Sequence, residues 1–161
     1  MPKMNMNDPY YKLRPEHPTP DDELCTCEKI SEIYIAHKLG SNPIHCLNCN
    51  GEILPEKLAY SSHVAEEIAS WNSVYGSLYR LWLDSGEYEK WACERLLAPS
   101  GQVNKIGLEL AKQLSSIIKT YYLWFHDNEE PIPQICPVCG CKLMEKEGCR
   151  YSRCDNCLII I

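Results

Sequence analysis

Apolar and polar positions change period several times along the chain, and the longest regular stretch is helical. Val64, Ile68, Trp71, Tyr75, Leu78 and Trp82 fall on one stripe, which predicts a long amphipathic helix beginning near Ser62. Asp84 with Glu87 resembles a capping box, and Tyr88, Trp91, Ala92 and Leu96 continue as a second, shorter helix that Pro99 ends. Val103, Ile106, Leu110, Leu114, Ile117 and Tyr121 form a third stripe, although Gly107 within it costs about 1 kcal/mol relative to alanine.

On either side of this helical stretch the pattern shortens to strands and turns. Ile30 to Ile35 is β-favouring, Gly40, Asn42 and Pro43 supply a turn, and Ile44 to Leu54 returns, which predicts a hairpin. Tyr121 to Phe125 is an aromatic run with strand propensity, and Leu158 to Ile161 reads as a closing strand. The prolines at 2, 9, 15, 18 and 20 rule out a helix or central strand at the start, leaving an extended arm with Tyr10, Tyr11 and Leu13 as its anchors. The expected organisation is an extended proline-rich arm (1–22), a cysteine module (23–57), a helical core (58–126), an acidic linker (127–135) and a second cysteine module (136–161). The fold class is α+β: a three-helix centre with an N-terminal cysteine-rich β-hairpin and a C-terminal zinc ribbon.

Composition changes this picture mainly through its 11 cysteines in 161 residues. No segment reaches the roughly 18 apolar residues of a membrane span, and the first thirty residues carry no apolar signal core, so a soluble, cytoplasmic protein is expected. A reducing compartment disfavours disulfides and points the cysteines towards metal or thiol chemistry. The 16 basic and 22 acidic residues leave a formal charge of -6, which repels a phosphate backbone overall and suits a neutral or basic partner.

Cys136, Cys139, Cys154 and Cys157 form two Cys-x2-Cys pairs. Two intervening residues let both sulfurs of a pair converge from one turn, and two such turns supply the four soft ligands of a tetrahedral zinc ion. Four thiolates also hold iron in a rubredoxin-like site, so iron stands as the rival metal. Cys25, Cys27, Cys46 and Cys49 make a second candidate quartet with a less usual Cys-x-Cys first pair, again read as zinc. His45 beside Cys46 is a replacement ligand only if the strand does not turn it to the opposite face, as alternation requires.

The remaining chemistry is sparse. Cys93, Cys141 and Cys149 are surplus thiols, read as packing residues, with a thiol redox role as the alternative. Arg150, Tyr151 and Arg153 form a small basic and aromatic cluster that could grip phosphate or stack on a base. His63 with Glu66 and Glu67 reads as a solvated helix face, and no nucleophile, base and oxyanion set assembles, so no catalytic residue is assigned.

Leu78 to Ala92, followed in order by Val103-Asn104, Gly107-Leu108, Tyr121-Tyr122-Leu123, Cys136-Pro137-Val138-Cys139-Gly140 and Cys154-Asp155-Asn156-Cys157, resembles a bacterial family described as zinc-ribbon-containing with a suggested nucleic-acid-binding role. The resemblance covers about the last half of the chain. It implies a helical domain followed by a zinc ribbon, with metal on Cys136, Cys139, Cys154 and Cys157. The function expected from all of this is a non-enzymatic zinc-binding recognition protein. A protein partner is favoured, an immunity or antitoxin-like inhibitor being one form. A nucleic-acid-binding regulator and a thiol redox protein are the alternatives, and no small-molecule substrate is expected.

Overall fold

In a computed structural model that describes residues 7–161, the chain is mixed α and β, with five short strands in a single sheet. The strands are β1 (Glu32–Ile35), β2 (Ile44–Cys46), β3 (Lys119–Leu123), β4 (Arg153–Cys154) and β5 (Ile159–Ile160), in spatial order β2-β1-β3-β5-β4. The helices are α1 (Ser62–Asp84), α2 (Glu89–Leu97) and α3 (Gln102–Leu114).

β1 and β2 form the expected antiparallel hairpin, with Tyr34 opposite His45. β1 also runs parallel to β3, Tyr34 opposite Tyr121 and Ile35 opposite Tyr122, and β3 runs parallel to β5, Tyr122 opposite Ile159. Parallel neighbours need a crossover. The helices supply the first, between β2 and β3, and the C-terminal cysteine loops supply the second. Strands from the two cysteine modules and from the centre therefore share one sheet.

Both faces of the sheet are covered, which is why Ile and Tyr dominate its central positions. Ile33, Ile35, Tyr122 and Ile159 look towards α1 and α3, where Ile68, Trp71, Leu110 and Leu114 complete the main core. Tyr34, Ala36, Tyr121 and Ile160 look the other way and pack with Leu47 and the half-buried Cys149 and Tyr151.

α1 and α3 face the sheet and α2 packs on α1, so the two long helices, rather than a separate three-helix centre, form the helical layer. α2 is a nine-residue helix whose buried residues are Ala92 and Leu96, and only α1 and α3 run longer. α1 is capped by Ser61, whose hydroxyl accepts from the Val64 N–H at 3.2 Å. Asp84 and Glu87 do not form the expected box: Asp84 is the last residue of α1, a 3-10 turn spans Gly86–Tyr88, and the Glu89 carboxylate accepts from the Gly86 N–H at 3.0 Å.

The third apolar stripe ends earlier than its period predicts. α3 stops at Leu114, Ile117 is 57% exposed, and Tyr121 belongs to β3. Ser115 makes the switch, its hydroxyl donating to the Ala111 carbonyl at 2.8 Å and accepting from the Thr120 N–H at 3.1 Å. Pairing with β1 then outweighs the helical pattern.

Residues 7–22 lie on the body of the protein. Leu13 is buried, Tyr10 donates its hydroxyl to the Tyr60 carbonyl at 2.7 Å, and Arg14 pairs with Asp8 and Glu56. The rest of the expected arm, including Pro2, lies outside the described residues. No helix among the described residues is long and apolar enough to cross a membrane.

Candidate metal centres

Both cysteine quartets converge. The sulfurs of Cys25, Cys27, Cys46 and Cys49 lie within 4.8 Å of one another, as do those of Cys136, Cys139, Cys154 and Cys157.

In the N-terminal cluster Cys46 ends β2, and the chain turns back through Cys49 so that the Asn50 N–H donates to the Cys46 carbonyl at 2.8 Å. Cys25 is brought in from the preceding loop by donating its N–H to the Glu52 carbonyl at 2.8 Å. Gly51 permits that approach, since a Cβ there would sit 2.6 Å from the Cys25 backbone nitrogen. The Gly51 N–H points at the Cys49 sulfur (3.4 Å) and the Asn48 side-chain amide at the Cys27 sulfur (3.5 Å). Such donors stabilise thiolate over thiol.

The C-terminal cluster repeats the device. The Gly140 N–H donates to the Cys136 carbonyl at 3.0 Å, and the Cys136 N–H to the Cys141 carbonyl at 2.8 Å. Cys154 lies in β4, and the turn through Cys157 ends at Leu158, whose carbonyl accepts from the Tyr122 N–H at 2.7 Å. In all three Cys-x2-Cys turns the residue after the second cysteine has a left-handed backbone: Asn50 at φ 61°, Gly140 at φ 73° and Leu158 at φ 58°. Leucine bears a cost of about 1–2 kcal/mol in that region. Its neighbouring strand bond holds it there.

The donor set fits a metal. A tetrahedron with zinc–sulfur bonds of about 2.3 Å has sulfur–sulfur edges of about 3.8 Å. Cys27 and Cys46 stand 3.9 Å apart and Cys139 and Cys154 stand 3.6 Å apart. Every cysteine is free of disulfide. Titration is uneven within the clusters: burial pushes the Cys25 thiol up to about 12, whereas the Cys141 backbone N–H, ahead of neighbouring thiols, draws Cys139 down to about 6. A bound cation would take the place of the shared protons. With four sulfurs each, the sites have the closed ligand count of structural rather than catalytic zinc.

His45 is not a ligand. It lies on the face opposite Cys46, stacked on Tyr34 with ring centroids 5.4 Å apart, and neither ring nitrogen has a hydrogen-bond partner. Burial, with a smaller contribution from the Lys38 charge, lowers its pKa to about 3.

Among the surplus thiols, Cys141 is exposed, Cys149 is half-buried beside Tyr34 and Tyr121, and Cys93 is half-buried at the main core, with a thiol pKa raised chiefly by burial. His63 is exposed and approaches Glu67 at 3.7 Å, as a solvated face does.

Of Arg150, Tyr151 and Arg153, Arg153 is tied into ion pairs and both arginines lie over tyrosine rings. Arg153 pairs with Glu32 at 3.3 Å and Asp155 at 3.7 Å and lies over the Tyr121 ring. Arg150 lies over the Tyr151 ring, and Tyr151 meets Tyr34 edge-on at 5.5 Å. Glu32, which also pairs with Lys146 at 3.5 Å, thus ties β1 to the C-terminal module. Nothing in the local sequence around Glu32 signals this role. Comparison with known proteins yields no match to any family model, curated protein or solved structure.

Proposed function

We propose that the protein is a non-enzymatic recognition protein whose two cysteine clusters bind structural zinc, and that its partner is another protein. The observation that carries the reading is where the clusters sit. The sheet order puts β2 and β4 at its two edges, and Cys46 lies in β2 while Cys154 lies in β4. One metal at each edge would fix strands of three and two residues that are too short to hold their register alone. Closed four-sulfur sites support a structural role and leave the protein's surface for recognition.

A protein partner is supported by charge. The chain carries -6, and Arg153, one of the two arginines of the basic and aromatic cluster, is engaged with Glu32 and Asp155. An acidic surface that neutralises a basic protein is compatible with an inhibitor of the immunity or antitoxin kind.

The test is elemental analysis and size-exclusion chromatography of the protein purified from its native host without added metal. Two zinc atoms per chain and a nuclease-resistant protein complex are expected. A complex dissolved by nuclease would replace this reading with the nucleic-acid-binding one, and iron in the clusters would overturn the zinc assignment.

A further inference from the structure

Two apolar depressions open along one face of α1. The first, about 460 Å³, lies between α1 and α3, with Val74, Val103, Ile106 and Leu110 in its lining and the carboxylates of Glu67 and Glu109 at its sides. The second, about 360 Å³, is formed by Leu81, Tyr88 and Trp91 where α1 meets α2. Val74 and Leu81 are seven residues apart, two helical turns or about 10 Å, so both depressions border the same face of α1.

The residues along this face are unusually exposed for their type: Val74 is 54% exposed, Tyr88 53%, Trp91 49% and Ile106 39%. Half-exposed tryptophan and tyrosine beside an apolar cleft are the residue types that anchor protein interfaces. The charged groups lining the first depression are the carboxylates of Glu67 and Glu109, with no lysine or arginine among them, and the second is lined by no charged group. Glu67 is approached by the Gln113 amide and by His63, and the chain as a whole carries -6.

We infer that this face docks an amphipathic helix of the partner, with two apolar anchors seven residues apart and lysine or arginine on its flanks. The anchor spacing matches that of Val74 and Leu81 along α1, as in helix-in-groove recognition. The basic flanks meet Glu67 and Glu109, which favours a cationic helix over an anionic one and over a second copy of this acidic chain. The inference rests on the protein-recognition reading above and adds the face and the chemistry of what binds there.

The experiment uses the full-length, zinc-loaded protein and two synthetic helical peptides. Both carry leucines spaced to form one stripe with seven-residue repeats; one has lysines on its flanks, the other glutamates. Calorimetry is expected to show the lysine peptide binding at least roughly tenfold tighter than its twin. Trp91→Ala and Ile106→Asp are each expected to weaken it by roughly tenfold or more, whereas Leu39→Ser, at an exposed residue of the β1–β2 turn, leaves it unchanged. Glu67→Lys with Glu109→Lys is expected to reverse the preference between the peptides.

Equal binding of both peptides, or binding indifferent to these substitutions, overturns the inference. So does a dimer in sedimentation that Trp91→Ala dissolves, which assigns the face to a second copy. Zinc content and the nuclease-resistant complex, measured on the same variants, separate the two proposals. If both persist while the peptides fail, the docking face is wrong and the recognition reading stands.

Discussion

Gly107 shows how a residue that looks unfavourable in the sequence is required by the structure. A Cβ at this position would lie 2.4 Å from the ring of Tyr122. That ring cannot retreat: it is fully buried, edge-on to Trp71 at 5.7 Å, and its hydroxyl donates to the Asn104 side-chain carbonyl at 2.8 Å. Gly107→Ala is therefore expected to destabilise the protein by about 1–3 kcal/mol in urea unfolding, even though alanine is the better helix former. The cost of the glycine was legible from helix propensity, but its reason was not, because nothing along the chain says that Tyr122, on the expected aromatic strand, packs against this turn of the helix. Asn104 is a similar case. Its amide donates to the Leu96 and Ala98 carbonyls at 2.8 and 2.9 Å, joining the end of α2 to α3 and β3. Read along the chain, it is one polar residue beside an apolar stripe.

His45 makes a prediction with a sign. Its folded pKa of about 3 lies below that of an exposed histidine, about 6.5. Above pH 6.5 both states are neutral and the residue adds no pH dependence. As pH falls from 6.5 towards 3, the unfolded chain takes up a proton that the folded chain refuses, and stability is lost at up to about 1.4 kcal/mol per pH unit. His45→Phe keeps the ring against Tyr34 and removes two buried nitrogens that lack partners. It is expected to match or exceed the native stability at pH 7 and to flatten the acid limb of the stability curve. Zinc content should be followed in the same titration, since thiolates also reprotonate as pH falls. An unchanged acid limb with zinc retained would contradict the assignment.

At the scale of elements, the cysteine turns were the most legible part of the molecule and the sheet the least. A Cys-x2-Cys pair is local: two residues fix the reach of both sulfurs, so the spacing carried most of the geometry for Cys136 with Cys139 and for Cys154 with Cys157. The N-terminal quartet was legible in its membership, although Cys25-Thr26-Cys27 is not a turn of this kind and depends on Gly51 and the Glu52 carbonyl from another loop. The strands were foreseen except for β4, but their pairing was not, since β4 and β5 have two residues each and β1 pairs with a strand beyond all the helices. The turns themselves can be tested at Gly140. Its φ of 73° excludes an easy fit for any side chain, yet an added Cβ would meet nothing within 4 Å. Gly140→Ala then costs only the left-handed conformation, about 1–2 kcal/mol. In competition with a chelator, zinc should be held roughly tenfold more weakly at the C-terminal cluster and unchanged at the N-terminal one.

For the whole molecule, the position of β5 sets how the two ends depend on each other. β5 lies between β3 and β4, and its two residues are held by β3 on one side and by the β4 strand that carries Cys154 on the other. A strand of that length contributes too few bonds to dock alone. If the C-terminal metal is what fixes β4, then Cys139→Ser should release β4 and β5 together and leave β3 as an exposed sheet edge. The Tyr122 and Trp124 N–H groups donate to the Leu158 and Ile160 carbonyls at 2.7 and 2.9 Å, so hydrogen exchange should report their loss directly. The β1–β2 amides, including that of Cys46, which donates to the Gly51 carbonyl at 2.9 Å, should stay protected, because the N-terminal cluster is intact and the helices still cover that part of the sheet. The main core nevertheless includes Cys136, Leu143 and Cys154 beside residues of α1, α3 and β1, so the melting temperature of the whole protein should fall along with the local protection. Loss of protection across β1 and β2 as well would mean that the sheet folds as one unit and that either metal suffices to lose it. Retained protection at Tyr122 and Trp124 would show that β5 docks without the metal, and the edge-fixing role proposed for that cluster would fail.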